Sequence, residues 1–240
     1  MQHNVLHHTY TNIEDADEDI QPRYVMRFSP HQPLRWFHRY QHVYATFIYS
    51  ISTILWVTVK DFNKLVQFRN LGLIKEGAPF YKKLAEIILR KVSYHLVFLV
   101  IPILVLPLPV WLVLLMFISM HMVAGFTLSM VFQPAHIIHT SDYIDTDEVE
   151  INRNWNVHQL MTTTNFGMGS KWLFWFTGGL NHQIEHHLFP NICHVHYRSL
   201  APIVQQTAQE FNLPYYHQPT LRMAVAAHFR MLKDLGRGSI

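Results

Sequence analysis

The sequence predicts an all-α membrane protein: a transmembrane helical hairpin with interfacial and cytoplasmic helices that carry histidine boxes. Three observations lead there. Residues 94 to 132 contain no Asp, Glu, Lys or Arg, and the Pro107-Leu108-Pro109 cluster breaks the run near its middle. Histidine supplies 18 of the 240 residues. The histidines also recur as doublets, His7-His8 and His186-His187, each with another imidazole or amide four residues before a member of the doublet, which is one helical turn.

The length suits a single domain, 1–240. At its start, His3-x-x-x-His7-His8 forms a box at 3–8. The first two imidazoles share a helix face and the third lies about 100° round, so one helix can serve two adjacent metals. The acidic run that follows reads as a solvated loop. It also holds Glu14, Asp15, Asp17, Glu18 and Asp19, candidate acceptors for orienting ligand rings.

The apolar stretch Tyr44–Val59 would reach only about 24 Å as a helix, short of the roughly 30 Å of bilayer hydrocarbon. If histidines on either side of the hairpin share a site, an even number of crossings separates them. The stretch is therefore expected to be interfacial or re-entrant. The charge-free run at about 94–132 is too long for one span. Two antiparallel helices turning at the prolines fit it better. Basic residues precede the run (Lys60 to Lys91) while the turn carries none, so the hairpin is expected to enter from the cytoplasm and return there. His121, inside it, reads as a buried, hydrogen-bonded histidine.

Beyond the hairpin, His136 and His139 stand where its second helix emerges. They read as ligands, as polar groups supporting ligands, or as interfacial residues, with the last two favoured. NWNVHQLMTTTNF places Asn154 and His158 one turn apart. The aromatics of SKWLFWFTGGL are either a substrate-tunnel wall or an interfacial belt. NHQIEHHLFP, the box at 182–187, pairs His182 with His186 and Gln183 with His187 at four-residue spacing, with Glu185 as a further acceptor candidate. His194 and His196 read as surface or supporting residues. Two amphipathic cytoplasmic helices, broken at Leu213-Pro214, are expected over about 198–236. Isolated histidines (His31, His38, His42, His95, His217 and His228) read as satisfied or surface side chains.

A formal charge of +3 without aromatic-interleaved basic stretches argues against nucleic acid. One cysteine, Cys193, excludes an intramolecular disulfide. Imidazole ligation suits iron, copper, zinc or nickel. Beside an apolar membrane segment it suggests a redox metal facing a lipid, because breaking an unactivated C–H bond needs an oxidant that side chains do not supply. A metal transporter or other non-enzymatic membrane metal-binding protein is the alternative from another class. Transport is disfavoured because both boxes lie outside the charge-free run.

HNVLHHTYTN followed by DEDI, NWNVHQLMTTTNF, and GGLNHQIEHHLFPNICHVHY together resemble the membrane-bound fatty acid desaturase family over essentially the whole chain. The nearest branch is the front-end acyl-CoA or acyl-lipid desaturases, including bacterial linoleoyl-CoA desaturase-like proteins. Its mark is a glutamine in place of the third box's first histidine, here Gln183. The resemblance implies two non-haem iron ions on the cytoplasmic side of an integral membrane protein. It further implies O2 as co-substrate, a CoA- or lipid-linked acyl substrate, and electrons from a small protein such as a ferredoxin or b-type cytochrome. By motif, His3, His7, His8, His158, His186 and His187 are the implied metal ligands. Asn154 is implied to act through water, and Gln183, His182 and Glu185 to stand near the ligands. A lipid hydroxylase is the runner-up within the class. The family's first histidine box and its accompanying crossings are absent here, so the chain is expected to lack an N-terminal part and to be inactive or unstable alone.

Overall fold

The computed structural model describes residues 7–17, 20, 25–145 and 154–240. His3, Glu18 and Asp19 lie outside them. In chain order the elements are α1 (His8–Tyr10), α2 (Trp36–Asn70), α3 (Ala78–Val105), α4 (Val110–His136) and α5 (Trp155–Thr162), followed by strand β1 (Asn165–Phe166). Then come α6 (Lys171–Phe176), α7 (Gln183–Leu188), α8 (Tyr197–Glu210), β2 (His217–Gln218) and α9 (Leu221–Arg237). The chain resolves into two compact units, Thr46–Ser129 and Met1–Ala45 with Met130–Ile240.

Helices α2, α3 and α4 are each long and apolar enough to cross a membrane. The hairpin turn falls at Leu106–Pro109, where the prolines end one helix and open the next. Helix α2 is longer than the reach expected for Tyr44–Val59. That stretch is the middle of a 35-residue helix, about 52 Å long at 1.5 Å per residue. Counting only its apolar residues underestimated its reach, because polar residues such as Asn63 and Lys64 continue the same hydrogen-bond ladder. In α3, a wide π turn at Leu96–Val100 stands immediately before Pro102. Pro102 has no N–H to give and its ring crowds the carbonyl four residues back, so a wider turn accommodates it.

Within the 46–129 unit, no residue of α3 is buried, and Leu104 is 77% exposed. An apolar surface this continuous is stable against lipid. A polar node joins the helices. Thr53 Oγ1 donates to the His121 carbonyl at 2.7 Å, and the His121 ring meets Thr53 Oγ1 at 3.1 Å and the Tyr94 hydroxyl at 2.9 Å. At Gly125 a Cβ would lie 2.6 Å from the Ser50 carbonyl oxygen and 2.7 Å from that of Tyr49. Only glycine lets these backbones approach so closely.

The other unit is organised by two apolar clusters. Val131, Ala135, Phe166 and Ala224 pack with Leu173, Leu180 and Leu221. Leu160, Ile184, Val204 and Ala208 pack with Leu188, Phe189, Leu213 and Tyr215, so α7 is wedged between α5 and α8. Burying the Ile184 side chain completely contributes about 1.5–3 kcal/mol, and it fixes which face of this short helix turns away from the core. Strands β1 and β2 pair in parallel, Asn165 with His217 and Phe166 with Gln218. Helix α9 is capped by Thr220 at its start and by Gly238 in the left-handed region (φ 68°) at its end. Its Gly236 lies against the His38 carbonyl, where a methyl group has no room.

Candidate metal centre

His7 and His8 are presented by one short turn, and the chain around them is tied down at each residue. Thr11 Oγ1 donates to the His7 carbonyl at 2.6 Å, and the Trp155 indole donates to that of His8 at 2.9 Å. Asn12 adopts φ 55°, a region its short polar side chain tolerates. Its amide donates to the carbonyls of His136 (3.1 Å) and Asp142 (3.2 Å). A bridge between Ile13 and Ile144 continues the attachment. The His7-His8 segment is thereby fastened to the end of α4.

The third box is fixed from the other side. The Ile184 backbone N–H donates to Asn165 Oδ1 at 2.9 Å. Asn165 Nδ2 and the Tyr215 hydroxyl donate to the two carboxylate oxygens of Glu185, at 2.9 and 2.8 Å. Burial raises the Glu185 pKa, against the lowering effect of Tyr215 and Asn165. Glu185 thus holds the turn that carries the histidines, and its bonds run to Asn165 and Tyr215.

These attachments bring imidazoles from three distant stretches together. His7, His136 and His187, all buried, offer ligand nitrogens within 4.8 Å of one another. Three nitrogens around one ion, at bonds of about 2.1 Å, stand about 3.0–3.6 Å apart, so the three rings would draw in by up to about 1–2 Å to share one ion. His8 stacks on His187 with centroids 4.4 Å apart, and His186 lies edge-on to His8 at 4.7 Å. The two doublets therefore interleave, with His8 and His186 beside the three-imidazole cluster.

Each ring of the His7, His136 and His187 cluster has its Nδ1 committed to an acceptor. His7 Nδ1 donates to the Asp17 carboxylate, 3.0 Å to each oxygen. His136 Nδ1 donates to the Thr162 carbonyl at 3.4 Å, and His187 Nδ1 to Gln159 Oε1 at 2.8 Å. None of these acceptors carries a proton to give, so each Nδ1 holds the hydrogen and each Nε2 keeps its lone pair. His187 Nε2 is fully buried with no hydrogen-bond partner among the described residues. Burial first, and then the neighbouring imidazoles, drive the His187 pKa well below its ordinary value. A buried, neutral nitrogen with an unused lone pair fits a metal ion.

The site residues expected from sequence fall into three groups. His7, His8, His186 and His187 come together as described, while His3 lies outside the described residues. His158 is buried on α5, but the three-nitrogen cluster does not include it. Asn154 is exposed and caps α5, its Oδ1 accepting from the Asn156 N–H at 2.9 Å. Gln183 and His182 are buried beside the box. The His182 pKa is depressed to about 4 by burial and by Arg198. Of the acidic loop, Asp17 reaches a ligand ring, whereas Glu14 accepts from Gln32.

The sequence reading ranked His136 behind His158, yet His136 is the third imidazole of the cluster. Its only sequence signal was position, at the C-terminal end of an apolar helix just past Pro134. Thr11, Asn12, Gln159, Asn165 and Tyr215 were not singled out at all. The aromatics of α6 divide: Trp172 is 89% exposed and Trp175 and Phe176 are also exposed, whereas Phe174 is buried in the core.

The fatty acid desaturase family model matches residues 2–219. A sn-1 linoleoyl-lipid 6-desaturase of Arthrospira platensis is 36% identical over 98% of this chain and 63% of its own length. An acyl-lipid (8-3)-desaturase of Physcomitrium patens is 34% identical over 98% of this chain and 49% of its own. A sn-1 linoleoyl-lipid 6-desaturase of Synechocystis is 33% identical over 99% and 66%. The chain thus spans about half to two thirds of the relatives it matches. No solved structure matches it significantly.

Proposed function

Since this chain belongs to the fatty acid desaturase family, and its long apolar helices make it a membrane protein, we propose that it forms the di-iron part of an acyl-lipid desaturase of the front-end type. The observation that carries this reading is the interleaving of His7-His8 with His186-His187 and His136. His7, His136 and His187 hold one iron. His8 and His186 hold the other together with His158, which sits one turn along the helix that Trp155 anchors to His8. His3 adds to the set from outside the described residues.

When bound, a pair of non-haem irons supplies the O2-derived oxidant that removing two hydrogens from an unactivated acyl chain requires. The protein's own residues prepare the site for it. Asp17, Thr162 and Gln159 hold the rings in the ligating tautomer. Burial favours the neutral form of His187, and the burial of His7, His136 and His187 keeps bulk water away. The apolar helices present a lipid-miscible surface to an acyl substrate. Electrons come from a small redox protein, a ferredoxin or b-type cytochrome. The imidazoles lie on the cytoplasmic face, because His136 closes a helix whose hairpin partner follows the basic residues 60–91.

The test has two arms. The purified chain is loaded anaerobically with Fe(II) in detergent and its iron measured: about two per chain is expected, as in other carboxylate- or imidazole-built two-metal sites, and clearly less in H187A. Equal iron in both proteins would remove the metal assignment. In the second arm, residues 1–240 replace the aligned segment of the Arthrospira relative in a bacterium with linoleoyl lipids. Fatty acids with an added double bond are expected, and lipids matching those of the H187A chimera would refute desaturation.

A further inference from the structure

Gln159, on α5, is fully buried next to His158. Its Oε1 accepts from His187 Nδ1 at 2.8 Å and lies 3.0 Å from Thr11 Oγ1, whose one proton is shared between this oxygen and the His7 carbonyl. Thr11 Oγ1 also reaches the His7 carbonyl at 2.6 Å and His187 Nδ1 at 3.3 Å. One carboxamide oxygen therefore touches both histidine-bearing segments, residues 7–11 and residue 187, which are far apart in sequence.

The orientation of this amide is informative. Gln159 Nε2 is buried and has no hydrogen-bond partner among the described residues. Turned over, the amide would satisfy that nitrogen, donating to Thr11 Oγ1 and to His187 Nδ1. It would also place the His187 proton on Nε2 and abolish the lone pair that a metal needs. The orientation found sacrifices the amide N–H groups and keeps an acceptor facing Nδ1. With the carboxamide oxygen facing Nδ1, His187 Nε2 keeps its lone pair for use as a ligand.

We propose that Gln159 is a positioning residue for the metal centre: its side-chain oxygen sets the His187 tautomer and, through Thr11, locks the His7-His8 turn to α5. The proposal rests on the metal reading above, and its test separates the two. The full chain in detergent is titrated with Fe(II) alone and with Co(II) alone, affinities being taken from chelator competition and the Co(II) visible bands serving as a probe of ligand geometry. Q159M keeps the side chain's length without polar atoms, and Q159E keeps an acceptor.

Q159M is expected to bind Fe(II) about 10–100-fold more weakly, the usual consequence of losing a ring-orienting partner, with its Co(II) bands displaced. Q159E is expected to bind as tightly as wild type, with bands shifted by the anionic acceptor. Wild-type affinity and spectrum in Q159M would overturn the proposal. Should Q159M lose its helical circular dichroism, Q159E decides: tight binding with shifted bands supports the assignment, and weakened binding or unshifted bands overturns it. If wild type and H187A bind metal equally, the metal reading itself falls.

Discussion

Replacing Asp17 by Asn tests how the first ligand is held. The Asp17 carboxylate is fully buried and accepts, among the described residues, from His7 Nδ1 at 3.0 Å on each oxygen and from the Asn12 backbone N–H at 2.9 Å on Oδ2. In D17N one oxygen remains to serve both donors, and an NH2 group stands 3.0 Å from another N–H. A hydrogen bond to a charged acceptor contributes about 1.5–3 kcal/mol and one between neutral groups about 0.5–1.5 kcal/mol. The exchange therefore weakens the hold on His7 by about 1–2 kcal/mol, which is about 5–30-fold in metal affinity. D17A goes further, leaving the Asn12 N–H without its acceptor at an additional cost of about 1–3 kcal/mol in folding stability. Fe(II) affinity by chelator competition, measured with thermal unfolding of the metal-free chain, separates the two effects. D17N should lower affinity while barely moving the melting temperature, whereas D17A should lower both. An Fe(II) affinity in D17N within about twofold of wild type would show that Asp17 does not orient a ligand.

Further expectations concern the ligand set, the packing and pH. H136A should release more than half of the bound iron and H158A should empty the second position, as read by metal analysis of desalted protein; full iron in H136A would remove it from the site. G125A should destabilise the membrane helices by about 1–3 kcal/mol or more, since backbone carbonyls at 2.6 and 2.7 Å from the new Cβ must move; denaturant titration in mixed micelles measures it, and an unchanged midpoint contradicts the close approach. His228 is fully buried, its Nδ1 donating to the Ile137 carbonyl, and burial depresses its pKa to about 4, against about 6.5 when unfolded. Between those values only the unfolded chain binds the proton, so stability is intact above about pH 6.5 and falls by up to about 3 kcal/mol as pH drops to 4. His182 adds to the same slope. Thermal melts of the metal-free chain from pH 7.5 to 4 should show it, with a shallower decline in H228N; an identical slope in H228N would assign the effect elsewhere.

What the sequence determined alone was whatever repeats over a few residues. The break at Pro107-Leu108-Pro109 follows from what proline does to a helix, and the histidine doublets announce themselves by one-turn spacing. The amphipathic pattern beyond residue 198 likewise became α8 and α9. The full length of α2 was less legible, because a helix continues past the end of its apolar run whenever its polar residues also favour the ladder.

Tertiary structure alone decided which lone polar residues share the site. His136 is followed by His139 three residues on, but His139 turns to Asp234, and His136 joins the cluster because Asn12 binds its carbonyl and the end of α4 is carried to the His7-His8 turn. Nothing near Gln159 in sequence marks it, for its two partners are Thr11 and His187. Asp17 was one acid among several in its loop until the fold gave it the His7 ring. Spacing reports on neighbours along a helix, whereas a metal site is closed by hydrogen bonds between residues that only folding makes neighbours.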